Sequence, residues 1–305
     1  MKKVVVIGGG TGLATLLRGI RELDVDIAAI VTMTDDGSSS GRLRRDFGIL
    51  PPGDIRQCIA ALSPDEARLT ELFQYRFSNG FGLKGHSLGN LIISALKEMT
   101  GNFELAIEEI SKILNIKGRV IPATLDDVTL AAKYDDGVKV LGESNIAKYG
   151  YKHKIEKVYL TKKPSTNPRA TEAIAEADII LVGPGSLYTS VIPNFLQDKL
   201  RHAYEQSRAR KVYICNVSTE RGETTGFGAD EHVLALGSYG VDVDIVLTND
   251  REFSSDFGDG FVKPVIYTGK EKKFYKCDIV DVKNPLYHDS KKLGKEIGRI
   301  ISESR

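Results

Sequence analysis

The sequence has no tryptophan and only three methionines and three cysteines in 305 residues. Cys58, Cys215 and Cys277 are odd in number, far apart and without a CxxC pair or zinc-type spacing, which excludes a disulfide framework and a cysteine-based zinc site. They read as reduced, mostly buried thiols of a cytoplasmic protein. An excess of either charge is also missing: 42 Lys and Arg nearly cancel 41 Asp and Glu, for a net charge of +1. Without a basic field there is no footprint for counterion release, so nucleic acid is not expected as a partner. No apolar run approaches the roughly 20 residues that a membrane span needs. The run of four after Met1-Lys2-Lys3 is too short for a signal segment and leads into glycines. Repeats at a fixed period and low-complexity tracts are absent.

What is present is an ordinary globular composition, 41% apolar and 27% charged, long enough to bury a full core. Val4 to Ile7 is a β-branched run closed by Gly8-Gly9-Gly10, as expected of a strand buried on both faces. Leu13, Leu16, Leu17 and Ile20 follow at helical spacing, and Asp26 to Thr34 forms a second apolar strand ending in Asp35-Asp36. Strand, glycine turn, helix and strand make a βαβ unit with a right-handed crossover. Asp35 to Gly41 reads as a loop. The region from about 55 to 115 reads as mostly helical, with periodicity over Ala67 to Phe77 and Gly89 to Leu96. From Arg119 to Leu160 the period changes to alternation around the turn Asp135-Asp136-Gly137, an inserted antiparallel element placed at 116–165. A helix from Asn167-Pro168, a strand ending in Gly183-Pro184-Gly185-Ser186, and two strands ending in Asn216 and Asn249 restore the βα rhythm. A short amphipathic helix closes the chain at about Leu293 to Ile301. The expected fold is a single α/β domain over 1–305: a doubly wound, mostly parallel Rossmann-like sheet with a helical cover and a small antiparallel insertion.

Chemistry is expected at the strand ends. Gly9, Gly10, Thr11 and Gly12 let the backbone approach a ligand and present helix N-terminal N–H groups to phosphate. The turn is neither a full GxGxxG, because Leu13 holds the third glycine position, nor a Walker A loop. Asp35 and Asp36 fall about 25 residues later, where such folds place an acid against a ribose; paired carboxylates equally suit a magnesium ion beside phosphates. Ser38 and Ser39 supply hydroxyl groups. Gly85-His86-Ser87-Leu88-Gly89 matches the nucleophile elbow of hydrolases but lacks the strand before it, so His86 and Asn90 are read as ligand-facing residues of a loop-to-helix turn. Gly183, Gly185, Ser186 and Tyr188 repeat the first arrangement, and Asn216 faces the same crevice. Arg42, Arg44, Arg45 and Arg56 are either a phosphate clamp or a solvated charge run.

Ile7 to Leu13, Thr34 to Arg42, Pro51 to Arg56, Gly85 to Asn90 and Gly183 to Ser190 together resemble the bacterial gluconeogenesis factor family, over nearly the whole chain. That family is related to the 2-phospho-L-lactate transferases of deazaflavin coenzyme synthesis, which share the fold and use magnesium beside an acidic loop. The resemblance implies Asp35 and Asp36 as metal or nucleotide ligands, and UDP-N-acetylglucosamine as the ligand of a regulatory protein linked to cell shape and gluconeogenic growth. It carries no settled reaction. The alternatives are a magnesium-dependent transferase of a phosphate-linked group and, more weakly, an NAD-binding oxidoreductase. No tightly bound organic cofactor is expected, and a homo-oligomer is compatible with the pattern.

Overall fold

The computed structural model describes residues 1–64, 68–251, 262–269, 271 and 273–303. Its strands are β1 (Lys2–Gly8), β2 (Val25–Val31), β3 (Arg119–Pro122), β4 (Leu130–Tyr134), β5 (Lys139–Leu141), β6 (Ile155–Leu160), β7 (Ile179–Val182), β8 (Arg210–Ile214), β9 (Ile245–Asn249) and β10 (Phe274–Cys277). The helices before the insertion are α1 (Gly10–Ile20), α2 (Ser38–Phe47), α3 (Gly53–Leu62), α4 (Arg68–Gln74), α5 (Leu88–Thr100) and α6 (Phe103–Ile113). After it come α7 (Glu143–Tyr149), α8 (Pro168–Glu176), a π-helical turn (Leu187–Val191), α9 (Ile192–Phe195), α10 (Asp198–Gln206), α11 (Ala229–Gly237) and α12 (Ser290–Glu303).

The main sheet has seven strands in the order β10-β9-β8-β7-β1-β2-β3, and its pairings are parallel. Successive residues of β1 serve two cores. Val4 and Val6 pack with α1, α3 and α12 on one face, while Val5 and Ile7 pack with α8, α10 and the small sheet on the other. This double burial is why the strand reads as a continuous apolar run rather than an alternating one. The chain order reverses at β1, with β2 on one side and β7 on the other, and this switch point is where open α/β sheets leave a crevice beyond their strand ends.

The doubly wound architecture agrees with the sequence, and four local differences have physical causes. α2 begins at Ser38, so the serines expected in a loop lie in a first helical turn, which closes early because Gly41 N donates to Gly37 O at 2.7 Å. β3 lies within the stretch expected to be antiparallel but pairs in parallel with β2. The antiparallel sheet is therefore the narrower β5-β4-β6, with Gly137 at φ +82° in its hairpin. α4 ends at Gln74, three residues short of Phe77, because Arg76 bridges Ser87 in extended backbone; Ala67 lies outside the described residues. β10 has only four residues, too short to declare itself in the sequence. Among the described residues no helix is long and apolar enough to cross a membrane.

α12 packs on α1 through glycines. A Cβ on Gly19 would lie 2.2 Å from the Ser290 carbonyl oxygen and 3.1 Å from the Gly294 nitrogen. Gly19→Ala should therefore destabilise the protein by about 1–3 kcal/mol through forced separation of the helices. Gly237→Ala, where nothing lies within 4 Å, should be neutral or stabilising by up to about 1 kcal/mol. Urea unfolding of both variants measures the contrast.

Candidate functional site

The glycine turns after β1 and β7 lie against each other at the switch point. Gly183 N donates to Ile7 O at 2.9 Å, holding the strand ends level. A Cβ on Gly12 would fall 2.6 Å from the Pro184 carbonyl oxygen, and one on Gly185 would fall 3.1 Å from the Gly9 carbonyl oxygen. Gly10 at φ +65° and Gly183 at φ +72° also need the left-handed region that favours glycine. The turns thus approach closely because they lack side chains. Asn216 clamps the second: Gly185 N donates to Asn216 Oδ1 at 3.1 Å, and Asn216 Nδ2 donates to Gly185 O at 2.9 Å.

Both turns open on a cavity of about 360 Å³ lined by Gly10, Thr11, Gly12, Gly185, Ser186 and Asn216, with Pro184, Ser190, Val262, the segment 217–221 and the segment 286–288 completing the wall. Six of the expected site residues therefore share one cavity. Gly9 and Gly183 lie behind it as packing positions. Tyr188 is 8% exposed and does not line it; its ring meets Phe227 edge-on, and its backbone N–H donates to Glu223 Oε2 at 2.9 Å. Asn249 closes a strand-end turn, bonded to both polar backbone groups of Arg251.

Behind the first turn the chain supplies its own anion. Asp54, in the first turn of α3, accepts from Gly10 N at 2.8 Å, so a carboxylate already sits at the N-terminus of α1. A Cβ on Gly9 would reach 2.8 Å from that carboxylate. Burial and then the charge of Asp35 raise the Asp54 pKa to about 7. Asp35 accepts from Gly37 N at 2.7 Å, and its other oxygen would be 2.3 Å from a Cβ on Gly53. Asp36 turns away to α7, where Ser144 N and Ser144 Oγ donate to its Oδ1 at 2.9 and 2.8 Å. That bond delivers Glu143, whose carboxyl is pushed well up by burial and then by Asp54 and Asp35. Asp35 and Asp54, with Glu143 near them, are the carboxylates whose repulsion a hard divalent cation would relieve. Asp36 gives its Oδ1 to Ser144. Among the described residues the trio of acids and histidine whose ligand atoms have the spacing for a metal is Asp135, Asp136 and His153, near the exposed hairpin turn.

Ser39, His86 and Asn90 gather on the far side of these acids in a buried network. Asn90 Nδ2 donates to Ser39 Oγ at 2.9 Å, Ser39 Oγ lies 3.0 Å from His86 Nδ1, and Arg56 Nε donates to Asn90 Oδ1 at 3.0 Å. Ser38 begins α2 beside them in sequence. Of the basic residues, Arg44 is bonded to Asp127 and to the Val128 carbonyl, Arg45 is exposed, and Arg56 joins the network.

The sequence pattern missed Asp54, Glu143, Glu220 and Glu223. Asp54 sits in Pro51-Pro52-Gly53-Asp54, a run that entered the sequence reading through the family resemblance. The others become site residues only when the insertion and the loop after β8 fold back. Ser186 Oγ donates to Glu220 Oε1 at 2.8 Å, and Thr189 Oγ1 donates to Glu223 Oε1 at 2.6 Å.

Burial and then the charge of Glu220 push the Glu223 carboxyl up from 4.5 to about 8. A raised value means the folded protein holds this proton more tightly than the unfolded chain, so the stabilisation is complete below the unfolded value and is lost as pH rises toward the folded one. Denaturant titrations should therefore show Glu223→Gln gaining on the wild type by a few kcal/mol between about pH 5 and about pH 9.

Comparison with known proteins places this geometry. The model of the 2-phospho-L-lactate transferase CofD family matches residues 4–299. A putative gluconeogenesis factor of Thermotoga maritima is 44% identical over 98% of this chain and 99% of its own. The gluconeogenesis factor of Bacillus subtilis is 43% identical over 99% and 98%. A putative gluconeogenesis factor of a Nostoc species is 54% identical over 77% of this chain, a match spanning 51% of that relative. A crystallised protein from Bacillus halodurans superposes with a TM-score of 0.92 at 43% identity, over 99% of each chain. The chain belongs to the gluconeogenesis factors, within the 2-phospho-L-lactate transferase CofD family.

Proposed function

We propose that this protein is a nucleotide-sugar-binding regulatory protein that holds the diphosphate of its ligand between the two glycine turns, with UDP-N-acetylglucosamine as the ligand and cell shape and gluconeogenic growth as the processes it serves. The observation that carries the reading is the single cavity walled by Gly10 to Gly12, Gly185 to Ser186 and Asn216. Thr11 and Gly12 follow Gly10 in the first turn of α1, where backbone N–H groups have no partner within the helix and are available to phosphate oxygens. A cavity of about 360 Å³ is within the size range of small-molecule sites. The protein is read as working in the cytoplasm, where nucleotide sugars are made and used.

A specific observation favours a second reading, a magnesium-dependent transferase of a phosphate-linked group. Asp35, Asp54 and Glu143 stand at the edge of the first turn, and burial together with mutual repulsion raises Asp54 and Glu143. Magnesium held by Asp35 and Asp54 would supply charge neutralisation for a phosphoryl group. The chain's own residues would position that group: the turns with backbone N–H groups, Asn216 by fixing the second turn, and Asp54 by fixing the first. Dinucleotide oxidoreduction is disfavoured, since Leu13 is fully buried where the fingerprint has its third glycine.

Isothermal titration with UDP-N-acetylglucosamine, with and without magnesium, followed by a search for products, separates the readings. Tight binding without turnover supports the regulator, and metal-dependent consumption supports the transferase. Gly12→Val should weaken binding by about tenfold or more, because the side chain would enter the contact with Pro184. Weak binding of all uridine nucleotides beside tight NAD binding would reject both.

A further inference from the structure

Two segments of the cavity wall, 217–221 and 286–288, are stitched together. Ser218 Oγ donates to the Leu286 carbonyl at 3.0 Å, and His288 Nε2 lies 3.1 Å from the Cys215 carbonyl oxygen. A carbonyl oxygen only accepts, so the second bond places the imidazole proton on Nε2 and leaves Nδ1 with its lone pair. Burial lowers the His288 pKa to about 4, which keeps the ring neutral at physiological pH. Nδ1 has no hydrogen-bond partner among the described residues, yet it does not belong to their enclosed, unpartnered polar atoms, a set that includes His232 Nε2. It therefore reaches open space. The spaces that His288 borders are this cavity and a neighbouring one of about 570 Å³.

Glu220 borders the first cavity as well. Its backbone N–H donates to Thr224 Oγ1 at 2.8 Å, and its carbonyl accepts from Thr224 N at 2.9 Å, so a closed turn presents the side chain. Oε1 accepts from Ser186 Oγ at 2.8 Å. Oε2 has no partner among the described residues and, like His288 Nδ1, is not enclosed. Arg221, in the same wall, has its guanidinium over the Tyr151 ring, 4.4 Å from the centroid. The cavity thus presents two chemistries: backbone N–H donors at the turns, and acceptors at Glu220 and His288. Acceptors repel an oxyanion and bind a group that brings its own protons.

We propose that Glu220 and His288 read the hydroxyl groups of the ligand: they accept hydrogen bonds from a sugar of the bound nucleotide and so select a phosphate-linked sugar over a bare phosphate chain. The inference rests on the nucleotide reading above and adds which residues recognise which part of the ligand. A sugar fits these acceptors better than a base. Hydroxyl protons rotate to meet acceptors carried on separate segments, whereas the ring N–H of uracil is flanked by carbonyl oxygens that would face the same acceptors. A site built to take a hydroxyl proton also rejects an analogue that lacks it, because the buried acceptors are then left unpaired.

The test is isothermal titration of the full chain with pyrophosphate, UDP, dideoxyuridine diphosphate and UDP-N-acetylglucosamine, for the wild type, Glu220→Gln and His288→Gln. Glutamine at 288 keeps an amide nitrogen for the Cys215 carbonyl but lacks the Nδ1 acceptor. Glutamine at 220 keeps an oxygen for Ser186 and turns the other acceptor into a donor. The expected result is UDP-N-acetylglucosamine binding about tenfold or more weaker in each variant, with pyrophosphate binding within about twofold of wild type, which also shows that the turns are intact. A matching loss for UDP assigns the ribose, and a loss confined to UDP-N-acetylglucosamine assigns the second sugar. Pyrophosphate weakened as much as the nucleotide sugar, or a tenfold loss for dideoxyuridine diphosphate, overturns the inference. Circular dichroism checks the fold, and Glu220→Gln decides alone if His288→Gln does not fold. UDP binding that the variants lose, in a protein that binds no UDP-N-acetylglucosamine, sustains this inference and rejects the nucleotide-sugar reading. Tight UDP-N-acetylglucosamine binding unchanged in the variants does the reverse.

Discussion

The structure depends on a backbone-to-backbone contact at the point where its sheet changes direction. The turn after β1 and the turn after β7 approach until a single methyl group on Gly12 would meet the Pro184 carbonyl. Hydrogen bonds from Asn216 to both polar groups of Gly185 hold the second turn in that position. A site walled by backbone in this way offers N–H dipoles at fixed positions, with little side-chain entropy to lose when a ligand arrives. The cavity is thus a consequence of what the turns lack.

Around that contact the charges are sorted by wall. Carboxylates from α3, the loop before α2 and α7 stand behind the first turn, and Glu220 and Glu223 stand beneath the second. Guanidinium groups lie beyond Asn90. Buried carboxyl groups that share a region titrate as a set, and several of these are held well above their ordinary range. Such clustering costs stability in a protein without a ligand, a pattern common where pKa values are tuned for function.

The fold was largely legible in the sequence because its signals are local. Continuous β-branched runs closed by glycine or asparagine mark the central strands, and Pro168 after Asn167 marks a helix start that the structure bears out through the Asn167 cap. The cavity residues were legible for the same reason, since they sit at strand ends. The rest depends on contacts distant in sequence. Asp36 looks like a partner of Asp35, but 108 residues separate it from the Ser144 that binds it. Tyr188 lies next to the second turn in sequence, yet helical geometry points its ring into the core. Glu143 has no motif around it and reaches the acids only through the fold of the insertion.

Asp54 changes what a glycine turn means here. At a simple helix N-terminus the first free N–H groups and the dipole attract any anion. In this protein Gly10 N is already given to Asp54, whose charge, when present, repels an incoming phosphate. Within the nucleotide reading, a bare phosphate chain is therefore accepted most readily when Asp54 is protonated or when a cation lies between the two. A pKa raised to about 7 puts the first condition within reach of neutral pH, and the nearness of Asp35 suits the second. Under this reading the acids and the glycine turns are parts of one binding event, and the charge state of Asp54 decides how strongly the first turn attracts its ligand.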